Sequence, residues 1–248
     1  MFQLILHHGL MGFSRLRVGR LGVSYFRGID RALAEAGYRI VAPRVHPTGS
    51  VARRAAQLRQ ALVGQLPPNG PKAVIVAHSM GGLDARYMIR ELGMADRVAA
   101  LLTIATPHRG SAYADWCAAN LGRRLRGFAL MRALGIDVDG LRDLTTEACA
   151  AFNHRVSDVP GVAYFSISAA CPCECAAAAL RPSHRIIQRA QGDNDGLVSV
   201  ASARWGTHLD TWCCDHLQEV GWRRLRSGSQ NVGEQYVQVV ARIVGLLA

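Results

Sequence analysis

An apolar run over residues 73–77 leads directly into a serine flanked by small residues, and this segment constrains the fold more than any other. It reads Ala77-His78-Ser79-Met80-Gly81 and continues into a stretch with helical periodicity. Where a strand turns this sharply into a helix, the two backbones nearly touch, so small residues are needed two positions before and after the serine. Such a nucleophile elbow holds the serine hydroxyl clear of a sheet. The segment therefore predicts an α/β chain with Ser79 as the candidate nucleophile.

The remaining chain alternates short apolar runs with amphipathic stretches, which is typical of a mostly parallel sheet with helices on both faces. Strands are predicted at residues 3–6, 38–42, 73–77, 98–104 and 162–167. No repeat with a period of about 20 to 50 residues and no low-complexity linker is present, so residues 1–248 are expected to form one domain. Residues 111–157 are helical in character without a clear strand, and we interpret them as a helical cap insertion.

Two of the predicted helices carry an apolar stripe. Ser50 is the predicted N-cap of the first helix, because its hydroxyl can accept a bond from the first turn. The apolar positions of this helix are Val51, Ala55, Leu58, Leu62 and Leu66. Its arginines are expected mostly off that face, namely Arg53, Arg54 and Arg59. The second is a terminal packing helix with Tyr236, Val239, Val240, Ile243 and Leu247 on one stripe.

Charge is the feature of the composition that suggests a partner. Lys and Arg outnumber Asp and Glu by 29 to 18, which gives a formal charge of +11. Nucleic-acid binding would follow from such a charge and would be salt-sensitive. However, the basic residues are 28 arginines and one lysine, Lys72, and the arginines are spread from Arg15 to Arg242. This spread favours a compositional bias, and we expect no nucleic-acid partner.

The sequence also limits the expected location. No apolar run approaches the ~18 residues of a membrane span. The first residues lack the cationic start and apolar core of a signal peptide, so we expect a cytoplasmic protein, or a secreted one if a leader has been trimmed. Seven cysteines in a chain of this length do not indicate a disulfide framework of the small secreted kind.

A serine nucleophile needs a base, and the base needs an acid to orient it. In a fold with this elbow, the acid and then the histidine follow the serine in the chain. The turn-rich loop 192–198 offers two candidate acids, Asp193 and Asp195. After that loop only two histidines remain, and His216 at a plausible helix start is favoured as the base over His208, which follows a Trp-Gly-Thr loop.

Acyl transfer also needs N–H donors for the oxyanion of the tetrahedral intermediate. One donor is expected from the residue after the nucleophile, Met80. The second is expected from the glycine-containing loop 8–13, in which Leu10 is the candidate. An ordinary turn at the end of a strand is the alternative interpretation of His7-His8-Gly9.

Five segments, taken in order, resemble the bacterial triacylglycerol lipases and carboxylesterases of the Pseudomonas and Burkholderia type, within the α/β-hydrolase superfamily. The segments are 5–13 (ILHHGLMGF), 77–82 (AHSMGG), 103–111 (TIATPHRGS), 194–198 (NDGLV) and 216–220 (HLQEV). The resemblance implies an α/β-hydrolase fold with Ser79 as nucleophile, Asp195 rather than Asp193 as acid and His216 as base. It also implies the Leu10 and Met80 amides as the oxyanion hole.

Two departures from the family concern the loops near the histidine. The family's structural calcium uses aspartates where this chain has Gln218 and the aspartate-free segment 170–175, so we predict no calcium of that kind. The family's disulfide lacks its second partner, because Ala201 stands there. The same loops instead carry five cysteines, Cys171, Cys173, Cys175, Cys213 and Cys214. A disulfide or a bound soft metal could tie the loops together, and reduced thiols are the alternative.

The predicted reaction is hydrolysis of a carboxylic ester, from a small molecule or a lipid, through an acyl-enzyme and without a cofactor. A thioesterase, an amidase or a polyester depolymerase would use the same triad. A non-catalytic lipid-binding relative would lack a triad member, and none is missing. Within the cap, Leu121, Leu125, Phe128 and Met131 share a face beside Arg123, Arg124, Arg126 and Arg132. Such a helix could contact an anionic lipid surface or pack as an ordinary cap.

Overall fold

The structure is a computed structural model that describes residues 2–12, 15–18, 21–67, 69–123, 139–222 and 231–247. Within these residues the strands are β1 Gln3–His7, β2 Arg15–Val18, β3 Leu21–Ser24, β4 Ile40–Val41, β5 Ala73–His78, β6 Val98–Ile104, β7 Ala163–Ala169 and β8 Thr207–Trp212. The α-helices are α1 Ile29–Glu35, α2 Val51–Val63, α3 Gly81–Glu91, α4 Ala112–Arg123, α5 Asp139–Asp143, α6 Thr146–Arg155, α7 Arg181–Gln191, α8 Val200–Ala203 and α9 Val232–Leu246.

Six strands form one sheet in the order β4-β1-β5-β6-β7-β8, and each neighbouring pair is parallel. The five predicted strands are therefore confirmed, with shifts of one or two residues at some ends. The sixth strand, β8, was not predicted because its residues alternate and are largely exposed. It lies at the edge of the sheet with a neighbour on one side only, so it does not need the apolar run of a central strand. Strands β2 and β3 pair separately as an antiparallel hairpin.

Alternate residues of the central strands enter two different cores. Leu4, Val74 and Val76 lie in the core covered by α1 and α9, which pack against each other. Ile5 and Ile75 point the other way, into the core that includes residues of α2 and α3. The strands are buried on both faces as a result, which is the physical reason for their continuous apolar sequence.

Most of what the sequence predicted for helix α2 is confirmed, and the placement of one arginine is corrected. The Ser50 side chain accepts a bond from the Arg53 N–H, as a cap should, and the predicted apolar positions are buried. Arg54, expected mostly off the apolar face, is instead fully buried. Its Nε donates to Asp84 Oδ2 at 2.8 Å, because α3 brings that carboxylate to the edge of the α2–α3 contact. Helical periodicity could not show this, since the partner lies 30 residues away.

Arg54 also joins three segments at the carboxyl end of the sheet. Its terminal nitrogens donate to the His46 and His8 carbonyl oxygens, each at 2.7 Å. Asp84 is contacted in addition by His7 Nε2 at 2.9 Å. The loop after β1, the loop after β4 and the helix α3 are therefore held together by one buried ion pair and its hydrogen bonds.

The described parts of the region 111–157 are helical, as α4, α5 and α6. Residues 124–138 lie outside the described chain, and with them most of the basic apolar stripe proposed for the cap, so the cap and its lipid contact stay predictions. In the terminal helix α9, Tyr236, Val239, Val240 and Ile243 are buried as predicted. None of the helices in the described ranges is long and apolar enough to cross a membrane.

Replacing Arg54 by alanine should lower the free energy of unfolding by about 3–5 kcal/mol, because the buried Asp84 carboxylate would lose its cation. Urea denaturation followed by circular dichroism measures this change. The matched control is Arg53→Ala, one position along the helix and exposed, for which a change within about 1 kcal/mol is expected. Equal small losses for both variants would contradict a structural role for the buried pair.

Candidate active site

The Ser79 residue occupies a strained turn between β5 and α3. Its φ is 55°, in the left-handed region that residues with a side chain seldom adopt. Two hydrogen bonds hold this conformation: the Ser79 N–H donates to the Ile104 carbonyl at 2.9 Å, and Thr106 Oγ1 donates to the Ser79 carbonyl at 2.6 Å. The strand–serine–helix elbow expected from the sequence is therefore present.

Glycines allow the elbow to approach its neighbours closely. A Cβ atom on Gly81 would lie 2.8 Å from the His8 carbonyl oxygen, and one on Gly82 would collide with Thr106. On the other side, a Cβ on Gly9 would lie 2.7 Å from Ser79 Cβ. The loop after β1 is thus packed directly against the candidate nucleophile.

The structure brings the predicted acid and base together. His216 Nδ1 lies 2.8 Å from Asp195 Oδ2, and the backbone N–H of His216 donates to the backbone carbonyl of Asp195 at 3.0 Å. The other carboxylate oxygen of Asp195 accepts bonds from the Leu197 and Val198 amides, each at 2.7 Å. Asp193, the second candidate acid, is exposed. His208, the second candidate base, lies on the edge strand β8 with its ring near Ser166 and Thr211.

Electrostatics keeps the Asp195 carboxylate ionised. Burial by itself would raise the pKa of Asp195. The charge of His216 and the hydrogen bonds from His216, Glu219 and the Leu197 amide outweigh burial, so the pKa lies below its ordinary value. The result is a buried negative charge on Asp195 that faces Nδ1 of His216 and orients the imidazole ring.

His78, the neighbour of Ser79 in the chain, packs against His216 of this pair. The ring centroids of His78 and His216 are 4.5 Å apart, which places the candidate base His216 next to the elbow. Within the described residues the Ser79 hydroxyl and His216 Nε2 have no hydrogen bond, as is common before a substrate is bound. The Leu10 and Met80 amides donate to no acceptor in that part of the chain either. The two amides therefore stay candidates for the oxyanion hole.

Two further buried groups, His78 and Glu219, lie beside Asp195 and His216, and the sequence pattern assigned neither of them a role. Glu219 Oε2 lies 2.7 Å from His78 Nε2 and 3.4 Å from His216 Nδ1. These three side chains lie close enough together to hold a metal ion, but their facing atoms are already hydrogen-bonded to one another and to Asp195. The sequence did contain one indication that Glu219 lies beside His216. The two residues are three positions apart, which places both side chains on one side of a helical turn.

The cysteine-bearing loops are neighbours, as the fold hypothesis required. The Ala170 N–H donates to the Trp212 carbonyl at 2.9 Å, at the ends of β7 and β8. No disulfide joins cysteines in the described chain. Asp215 connects the loops instead, because its Oδ2 accepts a bond from the Ala177 N–H at 2.8 Å. Gln218, at a position where the family has a calcium-binding aspartate, accepts a hydrogen bond from the Asp215 N–H through its Oε1 at 2.8 Å. The expected absence of a calcium ion of the family's kind stays a prediction.

A serine elbow at the carboxyl end of a parallel sheet covered on both faces defines the α/β-hydrolase class. Residues 57–150 match a family model described as a PGAP1-like alpha/beta domain. Triacylglycerol lipase 2 of Saccharomyces cerevisiae is 31% identical over 211 residues, which cover 82% of this chain and 64% of that lipase. A triacylglycerol lipase of Pseudomonas fragi is 25% identical over 98% of this chain and 96% of its own.

Solved structures agree with these relatives. A metagenomic carboxyl esterase has a TM-score of 0.80 at 25% identity and matches 98% of this chain and 75% of its own. The chain therefore has the α/β-hydrolase fold and is similar in sequence to triacylglycerol lipases, which confirms the resemblance seen in the sequence. It spans less than two-thirds of the length of the yeast lipase.

Substituting Gly82 by alanine should lower the free energy of unfolding by about 1–3 kcal/mol, since the added methyl group collides with Thr106 inside a packed region. Denaturant unfolding measures the loss. Gly64→Ala is the matched control, because a Cβ there meets nothing within 4 Å. If Gly82→Ala were as stable as Gly64→Ala, the elbow would not be as tightly packed as described.

Proposed function

We propose that this protein hydrolyses carboxylic esters with Ser79 as nucleophile, His216 as general base and Asp195 as the acid that orients it. The main support is the 2.8 Å contact between His216 Nδ1 and Asp195 Oδ2 beside a serine held in an elbow. The named relatives are triacylglycerol lipases and a carboxyl esterase. We infer an acyl or lipid ester as the substrate class from them.

The reaction follows from the arrangement of these groups. His216 Nε2 takes the proton from Ser79 as the oxygen attacks the ester carbonyl. The oxyanion that forms is stabilised by the amides of Leu10 and Met80, and such donors are each typically worth ~10²–10³ in rate. His216 then returns the proton to the departing alcohol. Water, activated by the same imidazole, releases the acyl group and restores Ser79.

Asp195 contributes by charge and geometry. Its carboxylate accepts the Nδ1 proton of His216, which leaves Nε2 as the acceptor facing the serine. Because two backbone amides and burial fix the carboxylate, it does not need to reorganise when the imidazole becomes positive. Thioesters, amides and polyesters would be attacked by the same groups, so the ester specificity is a separate part of the proposal.

Ser79→Ala should reduce hydrolysis of a soluble nitrophenyl ester by about 10⁴-fold or more, because no acyl-enzyme can form. Ser157→Ala, at an exposed position, is the control and should keep wild-type rates. Undiminished hydrolysis by Ser79→Ala would refute the mechanism. A chain-length series followed by emulsified triacylglycerol then tests the substrate: activity on short soluble esters alone would indicate a carboxylesterase rather than a lipase.

His216→Ala should lose activity about as severely as Ser79→Ala, because the two residues act as a unit. His208→Ala should retain it, since that ring sits at the sheet edge on β8 and contacts Ser166 and Thr211. Comparing kcat/KM for the two alanine variants tests the assignment of the base. Loss of activity in His208→Ala with retention in His216→Ala would reverse it.

A further inference from the structure

A second carboxyl group is buried beside the proposed triad. Glu219 is fully shielded from solvent, and its Oε2 lies 2.7 Å from His78 Nε2 and 3.4 Å from His216 Nδ1. The mechanism already has its charged acid in Asp195, which faces the same His216 nitrogen at 2.8 Å. Two carboxyl groups therefore converge on one imidazole, although one negative charge is sufficient for it.

The directions of the neighbouring hydrogen bonds determine whether Oε2 of Glu219 accepts or donates a hydrogen bond. Tyr25 Oη lies 2.8 Å from His78 Nδ1, and burial raises the pKa of the phenol, so Tyr25 keeps its proton. We assign this proton to the hydrogen bond with His78 Nδ1. Nδ1 of His78 is then an acceptor, and Nε2 carries the proton of the neutral ring. Burial also holds the pKa of His78 well below its ordinary value, which keeps the ring neutral. Oε2 of Glu219 consequently accepts a bond from His78.

The other oxygen, Oε1, is buried and receives no hydrogen bond from the described residues. Glu219 is also in hydrogen-bonding contact with Asp195, and two ionised carboxylates would repel each other there. No arginine or lysine in the described chain pairs with Glu219. The titratable groups that face it are His78 from β5, Asp195 from the acid loop, Asp215 and His216 from its own turn, and Tyr25, Cys171, Cys214 and Tyr236 from other segments.

We propose that Glu219 is a neutral carboxylic acid in the folded protein and a positioning residue, which accepts a hydrogen bond from His78 and donates its own proton to Asp195. The inference rests on the proposed function only for its effect on catalysis. A protonated Glu219 can donate to the Asp195 carboxylate that it contacts, and its Oε1 accepts no hydrogen bond from the described residues. Burial and the neighbouring Asp195 charge raise the pKa of Glu219 well above its ordinary value, in agreement with this geometry.

Neutrality at this position matters for the base. A second negative charge 3.4 Å from His216 Nδ1 would favour the imidazolium form, which cannot take a proton from Ser79. A neutral Glu219 supplies the hydrogen bond that steadies Asp195 without adding that charge. The chain Tyr25–His78–Glu219–Asp195 thus connects the elbow to the acid loop through oriented hydrogen bonds.

Proton linkage tests the state of Glu219 without any enzyme assay. A carboxyl group whose folded pKa is raised stabilises the fold fully below its unfolded pKa, and this stability is lost as pH rises toward the folded pKa. Glu219→Gln keeps the shape of the neutral acid but cannot ionise. The ratio of unfolding constants, wild type over Glu219→Gln, should therefore rise about tenfold per pH unit from about pH 5 until the folded pKa is passed.

The measurement uses urea unfolding at a series of pH values and is repeated in a Ser79→Ala background. Failure of the proposed function therefore cannot be confused with failure of this inference. Glu234→Gln, at an exposed helix position, shows the effect of removing a surface carboxylate. A ratio for Glu219→Gln that stays level from about pH 5 upward would mean that Glu219 is ionised in the folded protein, and would overturn the proposal.

Kinetics tests the positioning role. In Glu219→Gln the acid limb of kcat/KM should keep its wild-type midpoint, because the replaced group carried no charge. Glu219→Leu should lower kcat/KM about tenfold or more, because Asp195 loses a hydrogen bond, and glutamine should largely restore the rate. A shift of the acid limb to lower pH by about one unit or more in Glu219→Gln would show that a negative charge had been removed.

An infrared measurement on the wild-type sequence covers the case in which the variants do not fold. Protein labelled with carboxyl-¹³C glutamate should show an isotope-shifted C=O stretching band of a protonated carboxylic acid at neutral pH. Absence of any such band would overturn the proposal.

Discussion

Close backbone packing around Ser79 is the constraint on which the arrangement of the site depends. Gly82 has no room for a methyl group against Thr106, and Gly9 is packed against Ser79 Cβ. These contacts bring β5, α3 and the loop after β1 to one point. The hydroxyl of Ser79 then stands at the carboxyl end of the sheet, where the loops that carry Asp195 and His216 also lie, because parallel strands all end on the same side.

The same end of the sheet buries charged and ionisable groups, and each has a partner from a distant part of the sequence. Arg54 meets Asp84, His216 meets Asp195, and His78 meets Glu219. A buried charged or polar group that loses its partner destabilises the fold, so these pairs also fix how the segments pack. Arg54 illustrates the link to function, because its bond to the His8 carbonyl holds the loop that contains the candidate donor Leu10.

Most of the fold could be predicted from the sequence because the central strands are buried on both faces. Their continuous apolar runs located five of the six strands in the sheet, and only β8 was missed, since an edge strand can be polar. Chain order and the elbow indicated Ser79, favoured His216 over His208 and limited the acid to Asp193 or Asp195, and the family resemblance then favoured Asp195. Arg54 was misplaced because helical periodicity records the helix's own face and not the carboxylate that α3 brings to it.

The sequence by itself determined the α/β architecture, the position of the serine elbow and the order of the groups that follow it. These features are local, because they depend on apolar runs and on small residues beside a turn. Only the tertiary structure decided that Asp195 and not Asp193 meets His216, and that Glu219 and His78 lie behind them. The physical reason is that hydrogen bonds and charge pairs depend on distances of about 3 Å between segments far apart in the chain, which local patterns do not encode.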